Sequence, residues 1–543
     1  MSGTRFQPRG SRPLPSRRGG VPAALLPEAR TPPFRRRSFG RGSPLWGILS
    51  LALLGLLAAP GGARAQAPKT ADDPSLWEHS VVTVEAARKQ YDYYQPWSRG
   101  TRRVQKAGVV IGERQVLTTA DELYDRTLVR LQKGGGGRWW MGEVTWIDYH
   151  ANLALLTTGE ADFWRDLKPA ALGSAARADG AMAVVRWHQG NLECRRAEFD
   201  QFAVREGQLS PINQAVLEVS SEIAGAGWSE PLVANARVAG LLTAQEGRTC
   251  YVMPASFIRA ILEARQRGQY HGLGFFHFVW EPGKNPAALA CLKLAGEPRG
   301  AIVIHVPERP DAAPQVIKPG DVLLKVDGFD VDLDGDYNDP EFGHLNIEAL
   351  ATHGKWAGDQ MNIQLSREGK VIEVSYQLPR FEYTNALVPW AAHDREPEYM
   401  IVGGLIFQPL TDAYLQSWGA DWKRNAPFRL YYYNEEEPTK ERPALVLLSQ
   451  VLPDAYNIGY QDLKYLVVDK VNGQPISRLT QLRDALQKPL DGYHVIEFTR
   501  GDNLHRLVLA AGDAEREATT RVLRQYSIPS AARLAEPVPG DGK

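Results

Sequence analysis

Cysteine is scarce in this chain of 543 residues, which has only Cys194, Cys250 and Cys291. Three isolated thiols exclude a disulfide-built scaffold, and their wide spacing excludes the paired ligands of a zinc ribbon or finger. The chain also lacks an excess of either charge, with 63 basic and 63 acidic residues. That balance is uneven along its length. Residues 1–65 hold 11 Arg and one Glu, which leaves 52 basic against 62 acidic residues in the remainder. An acidic body offers no basic face, so nucleic acid is not an expected partner. No cofactor or resident metal is implied by any motif.

The single long apolar run, residues 45–59, follows an Arg-, Pro- and Gly-rich leader and ends in Pro60-Gly61-Gly62-Ala63-Arg64-Ala65. It is short for a membrane span, and Ala63-x-Ala65 presents the small residues that signal peptidase requires. The expectation is a signal peptide cleaved before Gln66, a periplasmic or secreted location, and no stable membrane span afterwards. Arg36-Arg37-Ser38-Phe39 is compatible with twin-arginine export, and an uncleaved anchor is the alternative. The remaining 478 residues are enough for about three domains.

From residue 81 to about 244, short apolar strands alternate with Gly-rich and polar turns, as in Ala107-Gly108-Val109-Val110-Ile111 and Leu153-Ala154-Leu155-Leu156. This rhythm predicts a β-barrel or sandwich. Phe257, Ile258, Ile261 and Leu262 recur at helical spacing and predict a closing helix over residues 255–267. Cys194 and Cys250 both fall in predicted strands of this part, so a bridge between them is expected.

Gly108-Val109-Val110-Ile111-Gly112, Val116-Leu117-Thr118-Thr119-Ala120-Asp121, Asn152-Leu153-Ala154-Leu155-Leu156 and Gly225-Ala226-Gly227-Trp228-Ser229-Glu230-Pro231-Leu232-Val233 follow one another in a telling order. In that order they resemble the HtrA/Deg family of trypsin-like serine proteases, which implies a double β-barrel. In the family the corresponding motifs end in Ala-His, begin Asp-Ile-Ala-Leu and read Gly-Asn-Ser-Gly-Gly. Carried across, the histidine becomes Asp121, the aspartate Asn152 and the serine Trp228. A register one residue over makes Ser229 the hydroxyl, with Glu230 in place of a glycine.

A serine hydroxyl is a poor nucleophile until a neighbouring base takes its proton, and an imidazole does so only when a carboxylate holds its tautomer. An exposed carboxylate at position 121, with a pKa near ~4, is too weak a base at neutral pH. Trp228 and Glu230 would crowd the oxyanion position and place negative charge beside it. His79, His150 and His188 are the histidines of this part, and His150, two residues before Asn152, is the one near a family position.

Two related modules follow. Gly272-Leu273-Gly274-Phe275, then Lys318-Pro319-Gly320-Asp321-Val322-Leu323-Leu324-Lys325-Val326-Asp327-Gly328, resemble a PDZ domain, with a helical stretch near residues 345–350 and a hairpin over 363–378. Gly403-Gly404-Leu405-Ile406-Phe407, with Val471-Asn472-Gly473, repeats the pattern and resembles the tandem PDZ region of plant-type Deg proteins. PDZ domains bind polypeptide C-termini by adding a strand to their sheet. Gly272, Leu273, Gly274 and Phe275, and Gly403, Gly404, Leu405 and Ile406, are the expected peptide-binding residues.

Asp330-x-Asp332-x-Asp334-Gly335 with Glu341 has calcium-loop spacing, but the preceding segment reads as a strand where an EF-hand needs a helix. It is expected to be a solvated acidic loop. Tyr431-Tyr432-Tyr433 is expected to form strand and turn.

The fold expected is therefore mainly β. A signal peptide spans 1–65, a trypsin-like domain 66–267, α+β PDZ domains 268–380 and 381–535, and a tail 536–543. The function expected is that of a pseudoprotease, an adaptor or chaperone-like peptide binder whose family resemblance implies a trimer. An active serine endopeptidase using Ser229 with a relocated base, and a structural envelope scaffold, are the alternatives.

Overall fold

The computed structural model describes residues 73–173, 181–308, 314–383, 386–390, 392–419, 421–500 and 506–535. The expected signal segment and the tail after residue 535 lie outside them. The described residues all belong to one compact unit, Gln66–Lys543.

The first sheet is built on a long hairpin of β1 (Val81–Tyr91) and β2 (Arg99–Gly112), paired without a break from Val81↔Val109 to Tyr91↔Arg99. Added to it are β3 (Gln115–Thr118), β4 (Arg126–Lys133), β5 (Trp140–Met141), β6 (Glu143–Asp148) and β7 (Leu153–Thr157), in the order β5-β4-β1-β2-β3-β7-β6. Gly108 is required by packing, since a Cβ there would stand 2.6 Å from the Val116 side chain and 3.0 Å from that of Val84.

The second sheet closes into a barrel. Its strands are β8 (Met182–His188), β9 (Asn191–Gly207), β10 (Ser210–Ser221), β11 (Pro231–Ala234), β12 (Arg237–Glu246) and β13 (Thr249–Pro254), in the order β10-β13-β12-β11-β8-β9. The expected closing helix forms over Ala255–Gln266. One buried cluster joins Val109, Leu117 and Leu155 of the first sheet to Val185, Val233 and Leu241 of the second and to Phe257, Ile258 and Ile261 of the helix. Each such side chain contributes roughly 1.5–3 kcal/mol by burial. This shared core brings the loops after β3, before β7 and before β11 to one place.

The expected Cys194–Cys250 bridge does not form. Across the barrel Cys250 is level with Val219 of β10, and Val219 is level with Phe199 of β9. Cys194 therefore lies five residues further along β9, about 16 Å at the rise of a strand, where a disulfide allows Cα atoms only about 7 Å apart. The two side chains also belong to different clusters, Cys194 against the shared core and Cys250 inside the second barrel.

A third sheet follows, with strands Val279–Pro282, Ala301–His305, Val322–Val326, Gln360–Arg367 and Lys370–Gln377 in that order. The expected helical stretch is a 3-10 turn over Ile347–Ala351. A fourth sheet is ordered Arg506–Ala510, Tyr493–Phe498, Leu466–Val471, Val446–Val451, Leu405–Pro409, Tyr399–Val402 and Ala532–Arg533. Helices Leu479–Leu486 and Asp513–Gln525 accompany it. The tyrosine run departs from expectation: Phe428–Tyr432 is helical and runs into a 3-10 turn, Tyr433–Glu435. Within that helix Leu430 alone is buried, packed with Leu410, Tyr414 and Leu415, so one helical face satisfies the core where an alternating strand would bury two residues.

Candidate functional site

The turn that ends β3 and the loop that precedes β11 are bound to each other through Ser229. Its Oγ accepts from Thr119 N at 3.0 Å and from Thr118 Oγ1 at 3.1 Å, while Ser229 N donates to Leu242 O at 3.0 Å. Ser229 is completely buried and its φ is 67°. Its hydroxyl is a bolt between two loops and is inaccessible to a substrate carbonyl. One residue earlier, Trp228 O accepts from Ala107 N at 2.8 Å and fixes the loop to β2.

Four consecutive N–H groups of the same loop, those of residues 226–229, are taken. Glu230 folds back so that its Oε2 accepts from Gly227 N at 2.9 Å and from Trp228 N at 2.7 Å. Ala226 N donates to Gln245 Oε1 at 2.8 Å. Four consecutive backbone donors, in either register the ones an oxyanion would need, are thus held by the chain's own acceptors. Glu230 is 3% exposed, and burial raises its pKa against the opposing hydrogen bonds. Gly227 permits this fold-back, because its φ is 104° and a Cβ there would lie 2.9 Å from the Ala244 backbone.

Asp121 and Asn152 are brought together. Asn152, with φ 52°, turns its Oδ1 to accept from Asp121 N at 2.8 Å. Its Nδ2 donates to Gln208 Oε1 at 3.4 Å. Asn152 therefore acts as a loop clamp, and the Asp121 carboxyl receives no imidazole. Burial raises the pKa of Asp121, partly offset by the charge of Lys106.

Lys106 is the group that reading the sequence missed. It is 3% exposed, and its Nζ donates to Thr119 O at 2.9 Å, Thr119 Oγ1 at 2.5 Å and Asp121 O at 2.6 Å. All three ammonium donors are used to hold the turn that carries Asp121. Burial lowers its pKa to about 8. The sequence offered only its place at the edge of the apolar run 107–111, which does not tell which face of the strand it occupies.

His150 pairs with a different serine. Its Nδ1 is 2.9 Å from Ser210 Oγ, and its ring stacks on Tyr383 at 4.4 Å. Ser210 is fully buried, and burial lowers the His150 pKa. This dyad has a base and a hydroxyl but nowhere for a substrate to reach the oxygen.

The first glycine-rich loop lies against the chain itself. Gly272 O accepts from Ala357 N at 2.9 Å, Leu273 bridges to Trp356 and Gly274 to Arg380. Leu273 is buried in the shared core, so it does not line an open groove, while Phe275 is partly buried 5.5 Å from Phe381. Beside the loop opens a cavity of about 290 Å³ lined by His271, Gly358, Gln377 and Arg380 among others. The strand that follows, Val279–Pro282, pairs on one side only and is a sheet edge.

The second loop is a tight turn. Gly403 and Gly404 have φ 57° and 92°, and they join Tyr399–Val402 to Leu405–Pro409 as a hairpin. Leu405 and Ile406 thereby pair with Val402 and Ile401 on one side and with Val451 and Gln450 on the other. Both edges of this strand are occupied, which leaves no edge there for an added strand.

The acidic loop is satisfied internally: Asp332 Oδ1 accepts from Asp334 N and Asp336 N, and its Oδ2 faces His344 Nε2 at 2.7 Å.

The PDZ domain family matches residues 388–533. The chain is 28% identical over 487 residues to Protease Do-like 2, chloroplastic, of Arabidopsis thaliana, covering 84% of this chain and 76% of that protein. It is 23% identical over 469 residues to Putative protease Do-like 3, mitochondrial, of the same plant, covering 83% and 79%. With two β-sheet bodies around a shared core and a PDZ domain after them, the chain resembles HtrA/Deg-type proteins and is similar in sequence to the Do-like proteases. A solved structure titled HtrA-type protease AlgW with decapeptide aligns with a TM-score of 0.44 at 14% identity, over 57% of this chain and 99% of that one.

Proposed function

We propose that this protein is a non-catalytic member of its family that binds polypeptide through the module beginning at residue 272, as an adaptor or chaperone-like factor. The observation that carries this reading is Glu230 bound to the N–H groups of Gly227 and Trp228, beside an Asp121–Asn152 pair that contains no imidazole. A hydrolase of this type needs an imidazole on its nucleophile, an exposed hydroxyl and open oxyanion donors; here Asp121 stands where the imidazole would be, Ser229 is buried and the N–H groups of residues 226–229 are taken. The edge strand Val279–Pro282 and the cavity beside Gly272, with Arg380 at its wall, suit an extended chain and its terminal carboxylate.

Fluorescence anisotropy of the full chain with labelled peptides ending in Leu, Val or Phe tests this proposal. Affinity of about micromolar, lost on C-terminal amidation, is expected, because the ligand gives up chain freedom on ordering. Equal binding of amidated peptides removes the carboxylate role. Unfolded casein should remain intact throughout, and cleavage that disappears in Ser229→Ala would restore the endopeptidase reading.

We also propose that residues 1–65 direct the protein out of the cytosol. The names of the two relatives place those proteins in chloroplast and mitochondrion. An Arg-rich, acid-poor leader suits an organelle transit peptide as well as a secretory signal. N-terminal sequencing of the mature protein distinguishes cleavage before Gln66 from another site.

A further inference from the structure

The segment leading into strand Tyr399–Val402 crosses the first sheet beside the candidate site and is anchored there twice. Asp394 Oδ1 accepts from Asp125 N at 2.7 Å, its Oδ2 accepts from Tyr149 OH at 2.5 Å, and Arg126 stands 3.6 Å away. The neighbouring His393 ring lies 4.5 Å from that of Tyr149 and 4.8 Å from that of Tyr124. Tyr124 and Tyr149 are each three residues from a family position, Asp121 and Asn152 respectively. The segment therefore sits on the two loops that form the site.

Two residues on, Glu396 makes the second anchor. It pairs with Lys89 at 2.8 Å and Arg99 at 3.0 Å, one from each strand of the β1–β2 hairpin, and with Arg533 at 3.2 Å from the last strand of the fourth sheet. Arg533 also donates to Pro96 O at 3.1 Å and Pro397 O at 3.2 Å. Glu396 thus joins the first sheet to the C-terminal sheet, and Tyr399, three residues later, pairs directly with Arg533.

We propose that residues 393–397 form a latch that closes over the loops carrying Asp121 and Asn152 and, through the same five residues, holds the C-terminal PDZ module against the first sheet. Its contacts are partly exposed, with the Asp394 side chain 44% and that of Glu396 31% accessible. Exposed ion pairs are individually weak and screened by salt, so a latch built from several of them is reversible. Opening it uncovers Tyr124 and Tyr149, and loosens the PDZ module in the same event. This inference does not depend on whether the first module binds peptide.

Hydrogen exchange read by mass spectrometry on the full chain tests it with Asp394→Ala. Amides in 121–126 and 149–152 are expected to exchange at least tenfold faster than in the unaltered protein, with Asp125 N–H the most affected. Strand β7 and strand Val322–Val326 are expected to be unchanged. Salt at 1 M should reproduce the local effect in the unaltered chain. Unchanged exchange at 121–126 overturns the proposal, and so does an equal acceleration in every segment, which would make Asp394 a residue of general stability. Should Asp394→Ala fail to fold, Tyr149→Phe removes one contact, and it is expected to give a smaller acceleration confined to the same loops. No local change in that variant overturns the latch as well.

Discussion

The Glu230 carboxylate stands 2.7 Å from the backbone nitrogen of Trp228 and accepts its hydrogen bond. A charge-assisted bond of this kind, buried and shared with Gly227 N, is stronger than a neutral one and is costly to break without a replacement acceptor. The loop therefore places its own acceptor on the N–H groups that a protease would turn toward its substrate's oxyanion.

Restoring the three family side chains should not by itself restore the site. With Asp121→His, Asn152→Asp and Trp228→Ser combined, fluorophosphonate labelling is expected to remain slow. Adding Glu230→Gly is expected to raise it by about 10²–10³, the range associated with one oxyanion donor. Equal labelling of the triple and quadruple variants would show that Glu230 does not block the donors.

Ser229→Ala is expected to destabilise the fold by about 1–3 kcal/mol, because Thr119 N and Thr118 Oγ1 lose a buried acceptor. Urea denaturation measures the difference. A neutral result would mean that Ser229 is not a structural bolt.

Lys106 makes stability depend on pH in a defined direction. Its folded pKa of about 8 lies below the ordinary value of 10.5. The unfolded chain therefore binds more protons between those values, and stability rises with pH across the window. From pH 8 to pH 9 the rise from this group is about 1 kcal/mol. The measurement is the difference between the unaltered chain and Lys106→Met, which cancels groups such as Cys250, whose pKa burial raises to about 11. Parallel pH profiles for the two proteins would contradict the assignment.

Alkylation under non-reducing conditions is expected to label all three cysteines once the chain is unfolded. In the folded protein the exposed Cys291 should react first and the buried Cys250 last. A mass showing one alkylated cysteine would mean that Cys194 and Cys250 are bridged after all.

Alternating apolar residues and Gly-rich turns determined the β architecture, and the helical spacing of Phe257, Ile258 and Ile261 determined the closing helix, because these patterns record which side faces a core. The identities of Asp121, Asn152 and Trp228 were likewise sufficient to expect a missing triad. What Glu230 and Lys106 do was decided only by the tertiary structure. Both are charged residues that a linear reading places in solvent, yet each is buried with partners, Glu230 with the N–H groups of its own loop and Lys106 with the turn after β3. The pairing that fills both edges of Leu405–Pro409 was equally hidden, since a strand's second neighbour is set by how the chain returns. The tyrosines at 431–433 went the other way: β propensity depends on a half-buried sheet surface to pack against, and here the burial of Leu430 on one helical face decided the conformation.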